Sequence, residues 1–239
     1  MPDLYYDLHL HSCLSPCGDD DNTPGNIVGM SMIKGLNLIA LTDHNTCRNC
    51  PAFLEIAEAY GLIALPGMEL TTSEEVHVVC LFSELKDAMA FDSYVYERIL
   101  PIQNKEAIFG KQQIMNCDDE EVGRIDRLLI SATSISFDDV YDLVKSFNGI
   151  MIPAHIDKNA NSLLAMLGFI PPDSQFTCVE VADMKNYHGL LKAHPYLENC
   201  RVISDSDAHY LPDINEPKLT LHVESTDRES ILRALERKD

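Results

Sequence analysis

The chain has 239 residues, of which 46% are hydrophobic and 23% charged, and its formal net charge at pH 7 is −20. These values predict a globular α/β protein with one large domain or two small ones. The sequence has no apolar run of about 18 residues and no basic segment followed by an apolar one. We therefore expect no membrane span, no cleaved secretory signal and a cytoplasmic location.

The strongly acidic balance also bears on the binding partners. An acidic surface repels a phosphate backbone, and the sequence has no basic stretch that would form a local exception. We therefore expect no long nucleic acid and no membrane among the partners, and faster turnover of mononucleotide-sized phosphate esters than of long strands. A small phosphorylated molecule held by metal ions is compatible with this charge. The oligomeric state is left open.

Seven apolar, β-rich segments alternate with helical patterns along the chain. The predicted strands lie within residues 4–11, 36–44, 61–70, 76–82, 149–156, 176–183 and 200–209. Strands that alternate with helices favour a parallel sheet, either open or closed into a barrel.

Three of the predicted helices have clear start signals. Thr23 and Pro24 give an N-cap followed by a proline at the first helical position. Ser136 precedes a helix with acidic residues in its first turn, where the helix dipole favours negative charge. Thr226 and Glu229 form a capping box for the last helix, whose apolar stripe comprises Ile231, Leu232 and Leu235.

Residues 84–135 interrupt this alternation. The segment is charged, follows a helical pattern and shows no clear strand. We interpret it as a mainly helical insertion within a single domain of residues 1–239. It is either a lid over the functional site or a longer connection packed on the outside of the barrel.

Six of the nine histidines lie within or directly after predicted strands, namely His9, His11, His44, His77, His155 and His209. Side chains two apart in a strand point the same way, so His9 and His11 leave one face together. Asp43, Glu69 and Asp207 also fall at strand ends, and parallel strand ends meet at one face of a barrel. For one histidine alone, a hydrogen-bonded structural role would be preferred. The whole set predicts two or three divalent ions, either zinc, manganese or iron.

The motifs DLHLHS, TDHN, GMEL, HVV, PAH and SDAH occur in this order along the chain. Their order and positions resemble the polymerase-and-histidinol-phosphatase (PHP) family of metal-dependent phosphoesterases, over almost the whole chain outside the insertion. The resemblance implies a distorted seven-stranded β/α barrel with a trinuclear metal site, which agrees with the seven predicted strands.

The resemblance also implies which residues hold the three ions. The first ion would be held by His9, His11, Glu69 and Asp207. The second would share Glu69 and add His77 and His155. The third would take His44, His209 and an aspartate from the loop after His11. That loop, SPCGDDDNTP, is longer than the usual one, so Asp19 is expected and Asp20 is the alternative. Asp43 is expected to orient a ligand histidine through its second ring nitrogen.

The activity implied by the resemblance is hydrolysis of phosphoric ester bonds. Glu69, Asp207 and His209 are assigned to the catalytic centre, where a metal-activated hydroxide would attack phosphorus in line. The ions and their ligands would leave a local charge of about +2, which suits a phosphate monoester of a metabolite, nucleotide or short oligonucleotide. Alternatives are a histidinol phosphatase, a metal-dependent amidohydrolase and a non-catalytic metal-binding module.

Three cations follow strand ends and are candidate phosphate contacts, although a solvated surface cation is an equal alternative for each: Arg48, Lys158 and Lys185. Eight cysteines without a secretory signal do not indicate a disulfide framework. Four of them are patterned as Cys13-x3-Cys17 and Cys47-x2-Cys50 in the loops after the first two strands. They are a candidate zinc or iron–sulfur site, with unpaired buried thiols or an adventitious disulfide as alternatives.

Overall fold

The computed structural model describes residues 2–237. Within this range the strands are β1 (Asp3–Leu10), β2 (Leu38–Leu41), β3 (Ile63–Thr71), β4 (His77–Phe82), β5 (Gln113–Met115), β6 (Glu121–Arg124), β7 (Gly149–Pro153), β8 (Cys178–Glu180), β9 (Arg201–Ile203) and β10 (Thr220–His222). The helices are α1 (Pro24–Lys34), α2 (Cys50–Tyr60), α3 (Leu85–Tyr96), α4 (Glu106–Phe109), α5 (Phe137–Ser146), α6 (Leu163–Leu167), α7 (Tyr187–Ala193) and α8 (Arg228–Glu236). No helix within residues 2–237 has both the length and the apolar character needed to cross a bilayer.

The main sheet is curled, with α1, α2, α3 and α5 packed against its outer face and α8 packed against the other. Its six strands lie in the order β10-β1-β2-β3-β4-β7, and β8 and β9 form a separate parallel pair. Backbone hydrogen bonds join this pair and the segment after β9 to the segments that follow β7 and β1, from Ile156 N to Glu180 O (2.9 Å) and from His11 N to Ala208 O (3.0 Å). The predicted barrel-like α/β fold is confirmed. Each of the seven predicted segments contains a strand, whereas β10 was not predicted.

The expectation of a parallel sheet is wrong for β4. This strand runs antiparallel to both of its neighbours, β3 and β7. Only residues 72–76 connect β3 to β4, which is too short for the crossover that parallel strands need. The hairpin places His77, at the start of β4, directly opposite Thr71, at the end of β3. His77 therefore reaches the same end of the barrel as the residues that follow the parallel strands.

The alternation of side chains along β1 is interrupted next to the predicted histidine pair. Leu8 packs with the interior cluster of the sheet, whereas Leu10 packs with the outer cluster that includes the helices. The register between β1 and β2 shifts between Asp7 and Leu10. Because such an irregularity re-aims side chains, His9 and His11 can turn inward beside Leu8 instead of facing the helices.

The predicted helix starts are close to the observed ones. Thr23 caps α1 and accepts a hydrogen bond from Asn26 N (3.2 Å). Ser136 precedes α5, although its hydroxyl donates to Asp139 rather than accepting from a backbone amide. The cap of α8 is Asp227, one residue after the predicted Thr226. The apolar stripe of this last helix is buried as expected.

The insertion at residues 84–135 is only partly helical. It begins with α3 and contains the single turn α4, but β5 and β6 pair as an antiparallel hairpin. The prediction of a segment without strands is therefore wrong. The two strands of the hairpin have only three and four residues, which is too short for an apolar alternation to mark them in the sequence.

Candidate metal centre

Five of the six predicted histidines converge on the buried carboxylate of Glu69. Its two oxygens lie 2.8–3.3 Å from ring nitrogens of His9, His11, His44, His77 and His155. The sixth, His209, stacks on His11 with ring centroids 4.2 Å apart. The structure thus brings together side chains from β1, β3, β4 and the segments that follow β2, β7 and β9. The predicted shared face of His9 and His11 is present, with ring centroids 5.1 Å apart.

Three groups of side chains within this cluster have ligand atoms close enough to hold a metal ion. The groups are His9, His11, Glu69 and Asp207; His44, Glu69 and His77; and His11, His44 and His209. The first is the set expected for the first ion. The other two overlap the expected second and third sets but divide the histidines differently, since His44 also approaches Glu69.

Several buried polar atoms in this cluster have no hydrogen-bond partner among the described residues. They are Nε2 of His9 and His11, Nδ1 of His44, Oε2 of Glu69 and Oδ1 of Asp207. These atoms lie about 3 Å from one another, but the geometry between them is not that of a hydrogen bond. A buried polar atom without a partner costs about 1–3 kcal/mol. The donor set of imidazoles and carboxylates therefore fits divalent ions that would satisfy these atoms together.

The second ring nitrogens of the β1 histidines are held by hydrogen bonds. Nδ1 of His9 lies 2.7 Å from Oε2 of Glu180, a buried residue at the end of β8. Nδ1 of His11 lies 2.9 Å from the hydroxyl of Ser15, which in turn donates to Asp43 (2.6 Å). Both contacts leave Nε2 facing the cluster.

This arrangement corrects the expected role of Asp43. The aspartate accepts from the Ser12 amide (2.7 Å) and from the hydroxyls of Ser12 and Ser15 (both 2.6 Å), so it acts on His11 only through Ser15. The direct carboxylate contact belongs to Glu180, which was not predicted. The available signal was its position in the sequence Val-Glu-Val, a charged residue within an apolar strand.

Two residues of the cluster have backbone conformations that side chains disfavour. Asp207 has φ 52° and His155 has φ 32°. Such left-handed conformations cost about 1–3 kcal/mol outside glycine and tend to be retained at functional sites. In these conformations the side chain of His155 reaches Glu69 and that of Asp207 reaches His9.

The pKa values of the cluster divide it into charged and neutral groups. Burial would raise the pKa of Glu69, but the facing His77, His9 and His44 hold it well below its usual value. Burial opposes a charge on His11 as well, yet the carboxylates of Asp207 and Glu69 raise its pKa to about 9. Burial lowers the pKa of His44 to about 4 and that of His209 to about 3. His44 and His209 are therefore neutral at pH 7 and have free lone pairs.

Metal binding is expected to release protons. His11 is protonated at neutral pH in the metal-free protein, whereas a metal ligand must be unprotonated. Metal affinity should therefore rise with pH until about pH 9. Above that pH His11 has already lost its proton, so metal binding releases none from it. The same charge stabilises the metal-free fold below the unfolded pKa of about 6.5, and this contribution is lost through pH 9. Titration calorimetry with zinc in buffers of different ionisation enthalpy measures the protons; none released at pH 7 would contradict the assignment.

Asp19 lies beside His209 but is not part of the three ligand groups. Its amide donates to His209 O (3.0 Å), and its carboxylate accepts from the Asp21 amide (2.9 Å). The alternative, Asp20, forms an ion pair with Lys111 (2.8 Å) at the surface. The structure thus keeps Asp19 next to the cluster and directs Asp20 away from it. Asp19 as a ligand of a third ion stays a prediction.

We expect Asp19→Ala to lower the number of tightly bound ions by one, because no other carboxylate of that loop is held beside His209. Asp20→Ala should retain the full number, since it removes only the surface pair with Lys111. Elemental analysis of both variants after gel filtration measures this. Equal metal content in the Asp19 variant and the unmodified protein would remove Asp19 from the ligand set.

The three predicted phosphate contacts lie in different surroundings. Lys158 forms an ion pair with Oδ2 of Asp207 and so reaches the cluster. Lys185 is largely exposed, 4.0 Å from Asp183. Arg48 pairs with Asp92 (3.3 Å) and stacks on the ring of Tyr96, both of α3. The geometry of Arg48 therefore indicates a structural role in fastening the insertion.

The four patterned cysteines do not form a ligand group among the described residues. All four are free thiols, and those of Cys47 and Cys50 contact the carbonyl oxygen of Gly67 (3.1 and 3.6 Å). Burial raises the pKa of Cys13 to about 12 and that of Cys47 well above its usual value. A metal ligand needs the thiolate, so these surroundings favour the alternative of unpaired buried thiols.

A family model for the PHP domain matches residues 7–221. A 5′-3′ exoribonuclease of Salmonella typhimurium is 34% identical over 83 residues, which are 33% of this chain and 27% of that protein. An uncharacterized protein of Methanocaldococcus jannaschii is 32% identical over 76 residues, which are 28% of this chain and 44% of that protein. The chain thus spans less than half the length of these curated relatives.

Solved structures share the fold at low sequence identity. The lesion-specific endonuclease Q of Pyrococcus furiosus superposes with a TM-score of 0.67 at 18% identity, over 98% of this chain and 56% of that one. A complex of endonuclease Q with a 27-mer duplex carrying an abasic lesion gives 0.66, with the same identity and coverage. A protein of Bifidobacterium adolescentis proposed to be a metal-dependent phosphoesterase gives 0.62 at 20% identity, over 100% and 98% of the two chains.

These relatives correct the expectation about partners. Net charge was taken to exclude a long nucleic acid, but proteins similar to this chain in sequence or fold include exoribonucleases and an endonuclease seen on a duplex. That exclusion is wrong. Total charge describes the average surface, whereas binding depends on the groups that line the site.

Proposed function

The chain belongs to the PHP domain family of metal-dependent phosphoester hydrolases, and we propose that it hydrolyses phosphoester bonds of nucleotides or nucleic-acid strands. The observation that carries this proposal is the convergence of five histidines on Glu69, with buried ligand atoms that find no hydrogen-bond partner within residues 2–237. Two or three ions of zinc, manganese or iron suit this donor set. Eight free thiols among the described residues support a reducing compartment such as the cytoplasm.

The residues of the chain have distinct roles in this proposal. Divalent ions in such a centre polarise phosphoryl oxygens and lower the pKa of a water molecule. Glu69 is fully buried and its oxygens face five histidines, so it would be a ligand common to two of the ions. Asp207 and His209 have side chains 12% and 22% exposed, which makes them the ligands beside the entering substrate. Lys158 adds a positive charge at the same opening and orients a phosphate oxygen.

The insertion belongs to the same domain in this proposal and forms one wall around the centre. Asn49, in the loop after β2, donates to Gln113 O (3.1 Å) and accepts from Met115 N (2.9 Å) of β5. Asn45, one residue after His44, donates to the carbonyls of Leu129 (2.7 Å) and Ser131 (2.9 Å). These contacts favour the lid interpretation over a connection packed far from the site.

The test is a substrate panel assayed before and after removal of metals. The panel contains aryl phosphate monoesters and diesters, histidinol phosphate, nucleotides, a short single-stranded RNA and aryl amides. We expect phosphoester hydrolysis that is lost after chelation and restored by manganese or zinc. Amide hydrolysis without phosphoester hydrolysis, or activity that survives exhaustive chelation, would overturn the proposal.

A further inference from the structure

An open groove of about 630 Å³ leads away from the metal centre. One wall is the segment from Ile156 to Ala165, which follows the ligand His155. The other wall is the segment from Lys185 to Leu190, which includes the start of α7. Because Lys158 lines the groove and also pairs with Asp207, the groove and the centre share a boundary. Its volume lies within the range of about 300–1,000 Å³ typical of ligand sites.

We propose that this groove binds the single-stranded nucleic-acid segment attached to the scissile phosphate. The inference rests on the proposed function and names the substrate class for the same site. Single-stranded bases are unpaired and can expose their faces to a protein surface, unlike bases stacked in a duplex. The groove is lined both by lysines, which can contact phosphate groups, and by aliphatic side chains, which can contact bases.

The cations of the groove form a local exception to the acidic surface. The chain has 18 basic and 38 acidic residues, yet Lys158 and Lys185 face one groove beside the centre. The Lys158 side chain is 42% exposed and that of Lys185 is 91% exposed, so both can contact phosphate oxygens. Each lysine has one carboxylate neighbour, Asp207 for Lys158 and Asp183 for Lys185, and an exposed ammonium group can exchange such a neighbour for a phosphate oxygen of a bound strand.

The one acidic residue among the lining residues of the groove, Asp157, is hydrogen-bonded to the segment that leads into the opposite wall. The carboxylate of Asp157 accepts from the amides of Ala182 (2.7 Å) and Asp183 (3.0 Å) and from Nδ2 of Asn186 (2.9 Å). These hydrogen bonds direct its charge toward the backbone. They also join the wall that carries Lys185 to the segment that follows His155.

The remaining lining suits a base. Leu164, Ala165 and Leu190 provide an aliphatic surface that a flat base can cover. Gly189 leaves the groove open, since a Cβ atom built there meets no heavy atom within 4 Å. A large side chain at this position therefore fits without disturbing the fold and would occupy the space proposed for the strand.

The experiment compares Gly189→Phe with Gly29→Phe in the full chain. Gly29 is the matched control, because it also lies in a helix, α1, and its added Cβ also meets no atom within 4 Å. For each protein, kcat/KM is measured for a short 5′-phosphorylated single-stranded RNA and for an aryl phosphate. Binding of fluorescent RNA to chelator-treated protein is measured by anisotropy, and circular dichroism checks the fold.

We expect Gly189→Phe to lower the ratio of RNA to aryl phosphate kcat/KM at least tenfold and to weaken RNA binding by a similar factor. Gly29→Phe should leave both measurements within twofold of the unmodified protein. An unchanged ratio with unchanged RNA binding in Gly189→Phe would overturn the groove assignment, as would tenfold weaker binding in both variants. If the unmodified protein hydrolyses neither substrate, the proposed function fails, and the anisotropy comparison still decides whether the groove binds RNA.

Discussion

Replacement of Glu69 by glutamine is expected to lower kcat for phosphoester hydrolysis about a thousandfold. Glu69 contacts five histidines and takes part in two of the three ligand groups. The amide keeps the shape but removes the anion that would bridge the ions. A loss of roughly 4 kcal/mol of transition-state stabilisation corresponds to three orders of magnitude. The measurements are kcat on an aryl phosphate at saturating manganese and metal content by elemental analysis.

The matched control for this change is Glu58→Gln, which alters an exposed glutamate of α2. We expect its kcat and metal content to equal those of the unmodified protein. Circular dichroism should show the same barrel in both variants, because Glu69 contacts polar groups rather than the apolar clusters. A Glu69→Gln protein that retains more than a tenth of the activity with full metal content would contradict the bridging role.

Replacement of Glu180 by glutamine is expected to weaken metal binding by about 10–100-fold, the usual effect of losing a carboxylate that orients a ligand histidine. Burial opposes a charge on His9, but Glu180 is the foremost of the carboxylates that raise its pKa well above the usual value. The variant should therefore also release fewer protons when it binds metal, because His9 holds its proton less strongly. A merely structural role for Glu180 would not alter this number.

Calorimetric titration with zinc measures both quantities, and Glu198→Gln serves as the control. Glu198 is an exposed glutamate in the connection that joins β8 to β9. We expect this control to bind metal with the affinity and proton release of the unmodified protein. Unchanged proton release in Glu180→Gln would show that its contact with His9 does not tune the ligand.

The sequence was sufficient to predict the histidine cluster, because strand ends and local spacing determine it. His9 lies in β1 and His11 directly follows it, and each of the other four histidines begins or follows an apolar strand at the same face of the barrel. The direct partner of His9 was missed because it lies 171 residues away, on β8. Such a contact depends on which strands become neighbours in the fold, and strand neighbours far apart in the chain are hard to predict from a single sequence.

The strands that were not predicted are those in which apolar and polar residues do not alternate regularly. β10 has three residues with only one buried, β5 also has only three residues, and β6 is largely exposed. The direction of β4 was readable, since five connecting residues permit only a hairpin. The role of Asp43 was misassigned because a serine placed between an aspartate and a histidine leaves no spacing signal.

The barrel is closed by a seam between β1 and the segment that follows β9. This seam determines when the metal centre can form during folding. It joins chain segments near the two ends of the described range, for example through the hydrogen bond from Leu8 N to Asp205 Oδ1 (2.6 Å), which spans 197 residues. Contacts of this separation form late and slow folding. A chain that has not yet docked β9 therefore has His9 and His11 but not Asp207 beside them. Ions bound across the seam then act as a cross-link, stabilising the closed barrel in proportion to the logarithm of free metal concentration.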